Sequence, residues 1–327
     1  MRLRLVPQET NFDFFRFRTV TFGISIAAII ASIILWLVVG LNFGIDFRGG
    51  TSIRTEAVQP IDDGEYRRAV EGLEIGEVSV TQVFDTNFRA DQNVALIRIQ
   101  AQDGEESVTD AIVDQVQAAL TEIDPSIKFT SVDSVGPKVS GELVQTAILA
   151  VIAALVGILF YIWLRFEWQF SVGAVAALFH DVIITIGLFS LLQIRFDLAT
   201  IAALLTIVGY SINDTVVIFD RLRENLRKFK KMALQEVMNR TVNETLSRTL
   251  MTSGTTLIAL IALLIFGGDV IRGFVFAITW GVIIGTYSSV YVAKNVVLML
   301  GVKRDWSKPS EGGGGGGAGT QFANIDA

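Results

Sequence analysis

The sequence predicts a membrane all-α bundle of six transmembrane helices with one small α+β domain outside the bilayer. Three observations predict it. Only 18% of the 327 residues are charged while 51% are apolar, with a mean hydropathy of +0.51, whereas soluble domains carry about a quarter charged residues. Six runs, at 20–41, 143–164, 170–192, 198–219, 249–266 and 273–300, reach the roughly 18 apolar residues that let a helix cross the hydrocarbon core. Between the first two runs, 42–141 alternates strand-like and helix-like periodicity instead of reading as a loop. The same composition excludes a disordered chain. The absence of cysteine excludes a disulfide scaffold or a Cys-based metal site. A net charge of −6 argues against a nucleic-acid binder.

The first run is longer than the 7–15 residues of a signal peptide and no A-x-A site follows it, so it reads as an uncleaved anchor. Lysine and arginine orient the spans. Arg2, Arg4, Arg16 and Arg18 precede the first span. Eight more basic residues, from Arg221 to Arg248, lie between the fourth and fifth, and Lys303, Arg304 and Lys308 follow the sixth. With six spans these three regions share one side, the cytoplasm. Residues 42–141 hold 18 acidic against 8 basic side chains and lie on the other side. The expected organisation is a cytoplasmic segment 1–19, a span 20–41, an outer domain 42–141, five spans within 142–300 and a flexible glycine-rich tail 301–327.

In the outer domain, 51–57, 77–84, 93–100 and 127–134 alternate with period two. Residues 62–73 read as a helix opened by an acidic cap, and 106–123 place Val108, Ile112, Val116, Ala119, Leu120 and Ile123 on one helical face. The order β-α-β-β-α-β is the split βαβ pattern of a ferredoxin-like fold. No nucleophile–base pair or metal cluster appears there, so it reads as a docking or lever domain without a catalytic centre. The segment FGIDFRGGT, 43–51, contains Gly44, Asp46, Gly49 and Gly50. It lacks the G-K-[ST] of a phosphate cradle, and its glycines instead allow a sharp bend into the first strand. Asp46 and Arg48 are placed to pair locally.

Ionisable residues inside a span are functional candidates by default. His180 and Asp181 lie in the third span, and Asp214 lies about 9 Å inside the end of the fourth at 1.5 Å per residue. Arg248 opens the fifth, within reach of Asp214. Thr206, Tyr210, Asn213 and Asp214 form one polar stripe, and Thr249, Thr252, Ser253, Thr255 and Thr256 another. An acid and a base beside two such stripes can form a proton pathway, with a structural Asp214–Arg248 clasp as the bland alternative. Residues 229–247, within a basic connection at 220–248, have an apolar face and read as an amphipathic helix on the membrane surface. Ala150/Ala154, Ala153/Gly157, Gly173/Ala177 and Gly281/Gly285 are small-xxx-small pairs that permit close helix packing.

FGIDFRGGT, VGPKVSGEL (135–143), YSINDTVVIFDRLREN (210–225) and NETLSRTLMTSGTT (243–256) together resemble the SecF group of the SecD/SecF family, over about residues 12–300. The resemblance implies half of a resistance-nodulation-division transporter that pairs with SecD in the bacterial inner membrane. It implies an accessory, non-enzymatic role beside the SecYEG channel and the SecA motor. There the proton motive force drives late translocation and release of exported preproteins. It also implies that Asp214 and Arg248 are the proton-coupling pair, and it implies no cofactor or metal; H⁺ and Na⁺ coupling both stay open. Two other classes stand beside it. One is an exporter of a lipid or small molecule from the same superfamily, for which the outer domain is small. The other is an intramembrane aspartyl protease, for which the G-x-G-D context is missing.

Overall fold

The computed structural model describes residues 10–85, 88–89, 91–100, 110–268 and 270–302. Arg2, Arg4, the predicted helix start at 106–109 with Val108, and the tail with Lys303, Arg304, Lys308 and Gly312 to Gly317 lie outside the described residues. Among the described residues six helices are long and apolar enough to cross a membrane. They are α1 (Arg18–Val38), α5 (Pro137–Arg165), α6 (Trp168–Leu192), α7 (Leu198–Lys228), α8 (Leu234–Phe266) and a sixth made of α9 (Arg272–Ser288), a π turn (Ser289–Ala293) and α10 (Lys294–Leu300). Side chains of α6, α7 and α9 are the most enclosed, and α1 packs on α6 from outside.

Between α1 and α5 the chain forms a one-turn helix α2 (Ile45–Arg48), then β1 (Gly50–Ala57), α3 (Asp63–Glu71), β2 (Val78–Val83), β3 (Asn93–Ile99), α4 (Asp110–Ile123) and β4 (Lys128–Val135). All neighbouring strands are antiparallel, in the order β2-β3-β1-β4. Asp62 caps α3 by accepting from the Gly64 and Glu65 amides, which replaces partners that a helix N-terminus otherwise lacks. Val70, Val116 and Leu120 from the two helices bury against Ile53, Ile97 and Ile99 of the central strands. Burial there pushes the Tyr66 hydroxyl up to about 12, with Asp124 and Glu65 adding to the shift.

Two sequence expectations change. Residues 229–247 are not a separate surface helix. From Leu234 onward they are the first turns of a helix that runs unbroken to Phe266. Their apolar residues Val237, Met238 and Val242 bury against Leu222 and Leu226 of α7 and Phe15 of the N-terminal segment. Protein therefore takes the face that lipid was expected to cover. The second change concerns α5, whose small pairs are largely uncovered among the described residues: Ala150, Ala153 and Gly157 are exposed and Ala154 is half-buried. By contrast, a Cβ on Gly281 would overlap Ile207 of α7. Close approach of α7 and α9 therefore requires glycine at that position.

Gly281→Ala should accordingly lower the stability of the purified protein by about 1–3 kcal/mol, read as a lower apparent melting temperature in detergent. Gly157→Ala, where nothing lies within 4 Å of the added carbon, should leave it unchanged or slightly raised.

Candidate functional site

The candidate residues fall in two places: a hinge where the sheet domain meets the bundle, and a polar cluster inside the bundle. At the hinge, Gly49 and Gly50 have φ of 72° and 117°, values that side-chain-bearing residues rarely adopt. They turn the chain from α2 into β1. Gly44 donates to the Phe196 carbonyl (2.8 Å) and Phe196 donates back to the Asn42 carbonyl (2.8 Å), which pins the segment to the loop before α7. Phe43, Phe47 and Phe196 pack ring against ring around it.

Asp46 does not pair with Arg48. Its Oδ2 accepts from the Leu198 amide (3.1 Å) and its backbone carbonyl accepts from Ser140 of α5 (3.0 Å). Asp197 caps the same helix start with a capping box. Two carboxylates thus satisfy the free amides and face the positive end of the α7 dipole, a stronger attraction than an exposed contact with Arg48. A second tether joins Arg272, at the start of α9, to Asp85 after β2 (2.8 Å). On β3, burial and the nearby Arg195 lower the Arg98 pKa, and its guanidinium donates to Asn42 Oδ1 (3.1 Å).

Inside the bundle, Asp214 is 3% exposed. Ser253, then Arg248 and Thr252, all of α8, act on its carboxylate, the two hydroxyls by hydrogen bonding and Arg248 electrostatically; Oδ2 is buried with no partner among the described residues. Arg248 itself is exposed and makes no direct ion pair with Asp214 among those residues. Tyr210 reaches Thr256 at 3.5 Å, whereas Thr206 and Asn213 face outward. Ser253 goes on to meet Thr286 of α9 (2.7 Å).

His180 and Asp181 are more enclosed still, at 1% and 0% exposure. Asp181 Oδ2 accepts from Ser211 of α7 (2.6 Å) and Ser288 of α9 (2.8 Å), and Oδ1 lies 2.9 Å from His180 Nδ1. Sequence reasoning missed both serines, because a serine in a span carries no signal until its partner is known. It also missed Lys294, buried near the end of the sixth span. Its ammonium sits over the Phe14, Phe15 and Tyr291 rings and donates to the Phe14 carbonyl (3.3 Å). Asn239 and Asn243 hold the same N-terminal segment through the backbone of Phe12 and Phe14.

Comparison with known proteins now identifies the family. Residues 34–61 match the SecD/SecF GG motif, whose glycines here are the hinge, and residues 115–303 match "Protein export membrane protein SecD/SecF, C-terminal". A protein translocase subunit SecF from Cereibacter sphaeroides is 65% identical over 326 residues, covering 100% of this chain and 99% of the relative. The chain belongs to the SecF family. The SecF of Rhodobacter capsulatus is 62% identical (94% of each chain), and that of Vibrio alginolyticus 40% (94% of this chain, 96% of the relative). The solved structure of SecDF, a translocon-associated membrane protein from Thermus thermophilus, superposes with a TM-score of 0.81 at 34% identity. SecDF in a super-membrane-facing form gives 0.63 at 36%. Each solved chain is matched over 90% of this chain, which spans 39% of theirs.

Asp46→Ala should cost about 1 kcal/mol through loss of the cap, lowering the apparent melting temperature. Arg48→Ala, at an exposed position, should stay within about 0.5 kcal/mol of the parent.

Proposed function

We propose that this SecF-family protein is the accessory, non-enzymatic membrane subunit that lets a Sec translocase use the proton motive force in late translocation and release of exported preproteins. It pairs with a SecD subunit and acts beside the SecYEG channel and the SecA motor. The names of the SecF relatives support the export role, and the longer SecDF chains support a SecD-type half completing the bundle. On this reading the protein is a multi-pass subunit of the bacterial inner membrane with both termini cytoplasmic. The ferredoxin-like domain, within 42–141, projects into the periplasm. The arginines and lysines at the end of α7, in the turn that follows and in the first turns of α8 support that orientation.

The observation that carries the coupling is Asp214, a carboxylate inside a bilayer-length helix with one unsatisfied oxygen and a cation that influences it without clasping it. A charge there is costly unless it is compensated or protonated. Movement of α8, which carries Arg248, Thr252 and Ser253, therefore shifts the balance between proton binding and release. Each charge carried across the full potential supplies about 2.3 kcal/mol per 100 mV. That two solved SecDF chains match the same share of this chain yet superpose to different degrees supports a domain arrangement that changes.

Pulse-chase export of a secreted protein, in cells depleted of the native subunit, tests this. Asp214→Asn should reduce export to the rate seen with the proton motive force collapsed, while the variant still copurifies with SecD. Normal export by Asp214→Asn would remove Asp214 from the coupling path.

A further inference from the structure

Resting on the reading of Asp214 as a proton site, we propose that His180 and Asp181 form a second proton-accepting station in series with it, joined by hydroxyls and read out on α1 through Tyr287. The path follows contacts in the bundle. Asp214 faces Ser253, which meets Thr286 of α9 at 2.7 Å. One turn further along the sixth span, Ser289 of the π turn pairs with Thr215 (2.8 Å), the residue after Asp214, and Ser288 at the end of α9 donates to Asp181 (2.8 Å). Ser211, one turn before Asp214 on α7, donates to the same Asp181 oxygen. Hydroxyls both donate and accept, so each of these pairs can pass a proton on. Thr286, Ser288 and Ser289 share one turn of the sixth span without bonding one another among the described residues, so the path closes only when these hydroxyls rotate.

Two features separate this cluster from a merely satisfied core. His180 Nε2 is buried with no partner among the described residues, so the ring keeps an open proton-accepting or proton-donating position. The π turn begins at Ser289, directly after Ser288, and such turns occur disproportionately at functional sites. It lets consecutive serines reach different helices, Ser288 to α6 and Ser289 to α7.

The other titratable groups in the interior turns of the elements around the pair are Asp214 and Tyr210 on α7, Tyr287 on α9, and Tyr291 and Lys294 beyond it, with the charged end of α7 from Asp220 to Lys228 and Arg272 at the start of α9 further off along the helices. Helix α1 has only Arg18, at its start, and α5 has Lys138 and Glu142 near its start, the outward-facing Tyr161 and Arg165 at its end. His180 stacks on Tyr287 (5.9 Å between centroids), which donates to the Thr21 carbonyl (2.9 Å) and meets Ser25 (3.1 Å) of α1. Helix α1 leads directly to the Asn42–Gly50 hinge. A change of charge at His180 thus acts on the helix that carries the sheet domain.

The test uses the intact complex with SecD in vesicles, measuring export driven by the proton motive force from about pH 6 to about pH 8. Asp181→Asn should lose the force-driven part of export while copurifying with SecD, and Asp181→Glu should keep it. His180→Gln should assemble and flatten the pH profile. Asp181→Asn with parental export and pH profile overturns the proposal, whatever Asp214→Asn does. Loss in Asp181→Asn with normal export in Asp214→Asn overturns the serial order and the Asp214 reading together. Should Asp181→Asn fail to assemble, His180→Gln decides: a flattened profile supports the station and an unchanged one excludes it.

Discussion

A carboxylate held at 0% exposure among membrane-spanning helices must find its hydrogen-bond donors inside the protein, and Asp181 finds them on three helices at once. That requirement organises the bundle. Ser211 and Ser288 can both reach Asp181 only if α6, α7 and α9 lie close together. Close approach in turn demands glycine at 281, where a Cβ would overlap Ile207, and leaves little room at Gly285, where an added Cβ would lie 3.1 Å from Ser211 Cβ. Interhelical hydrogen bonds in membranes average only about 0.6 kcal/mol each. Their weight here is therefore in fixing one arrangement, with dispersion between tightly packed helices supplying the rest.

The sheet domain is coupled to this core at few points. β1 and β4 are adjacent strands, Gly50 lying opposite Val135, so the chain enters and leaves the domain side by side. Asp46 on the α7 start and Arg272 on Asp85 add two polar contacts. A domain attached by neighbouring strands and polar tethers can tilt without unfolding, while the apolar core beneath β1 and β3 keeps it rigid. On the proposed mechanism, motion of α1 or α7 reaches a body that moves as one piece.

Much of this was legible in the sequence, for identifiable reasons. The six spans and the β-α-β-β-α-β order follow from periodicity, which depends on neighbours a few residues apart. The bend at Gly49 and Gly50 follows from glycine's access to positive φ. Asp214, Asp181 and His180 stood out because charge is rare in a span. What failed to show depends on distant partners. Ser288 is 107 residues from Asp181, and nothing local marks it. Asp46 looked paired with Arg48 because the two are neighbours in sequence, yet a helix start 152 residues away takes it. An amphipathic face at 229–247 does not say whether protein or lipid will cover it. Lys294 escaped because its compensation comes from the distant N-terminal segment, from the Phe14 and Phe15 rings, the Phe14 carbonyl and the charge of Asp13.

The central claim is that protonation inside the bundle changes the position of the sheet domain. The chain has no cysteine, so spin labels can be placed at Glu122→Cys on the exposed side of α4 and Val270→Cys beside α9, and their separation measured by pulsed electron resonance in the complex with SecD. The expected distance distribution differs between about pH 5 and about pH 8, and is single and unchanging when Asp214→Asn is added. Identical distributions at both pH values in the parent protein would contradict it.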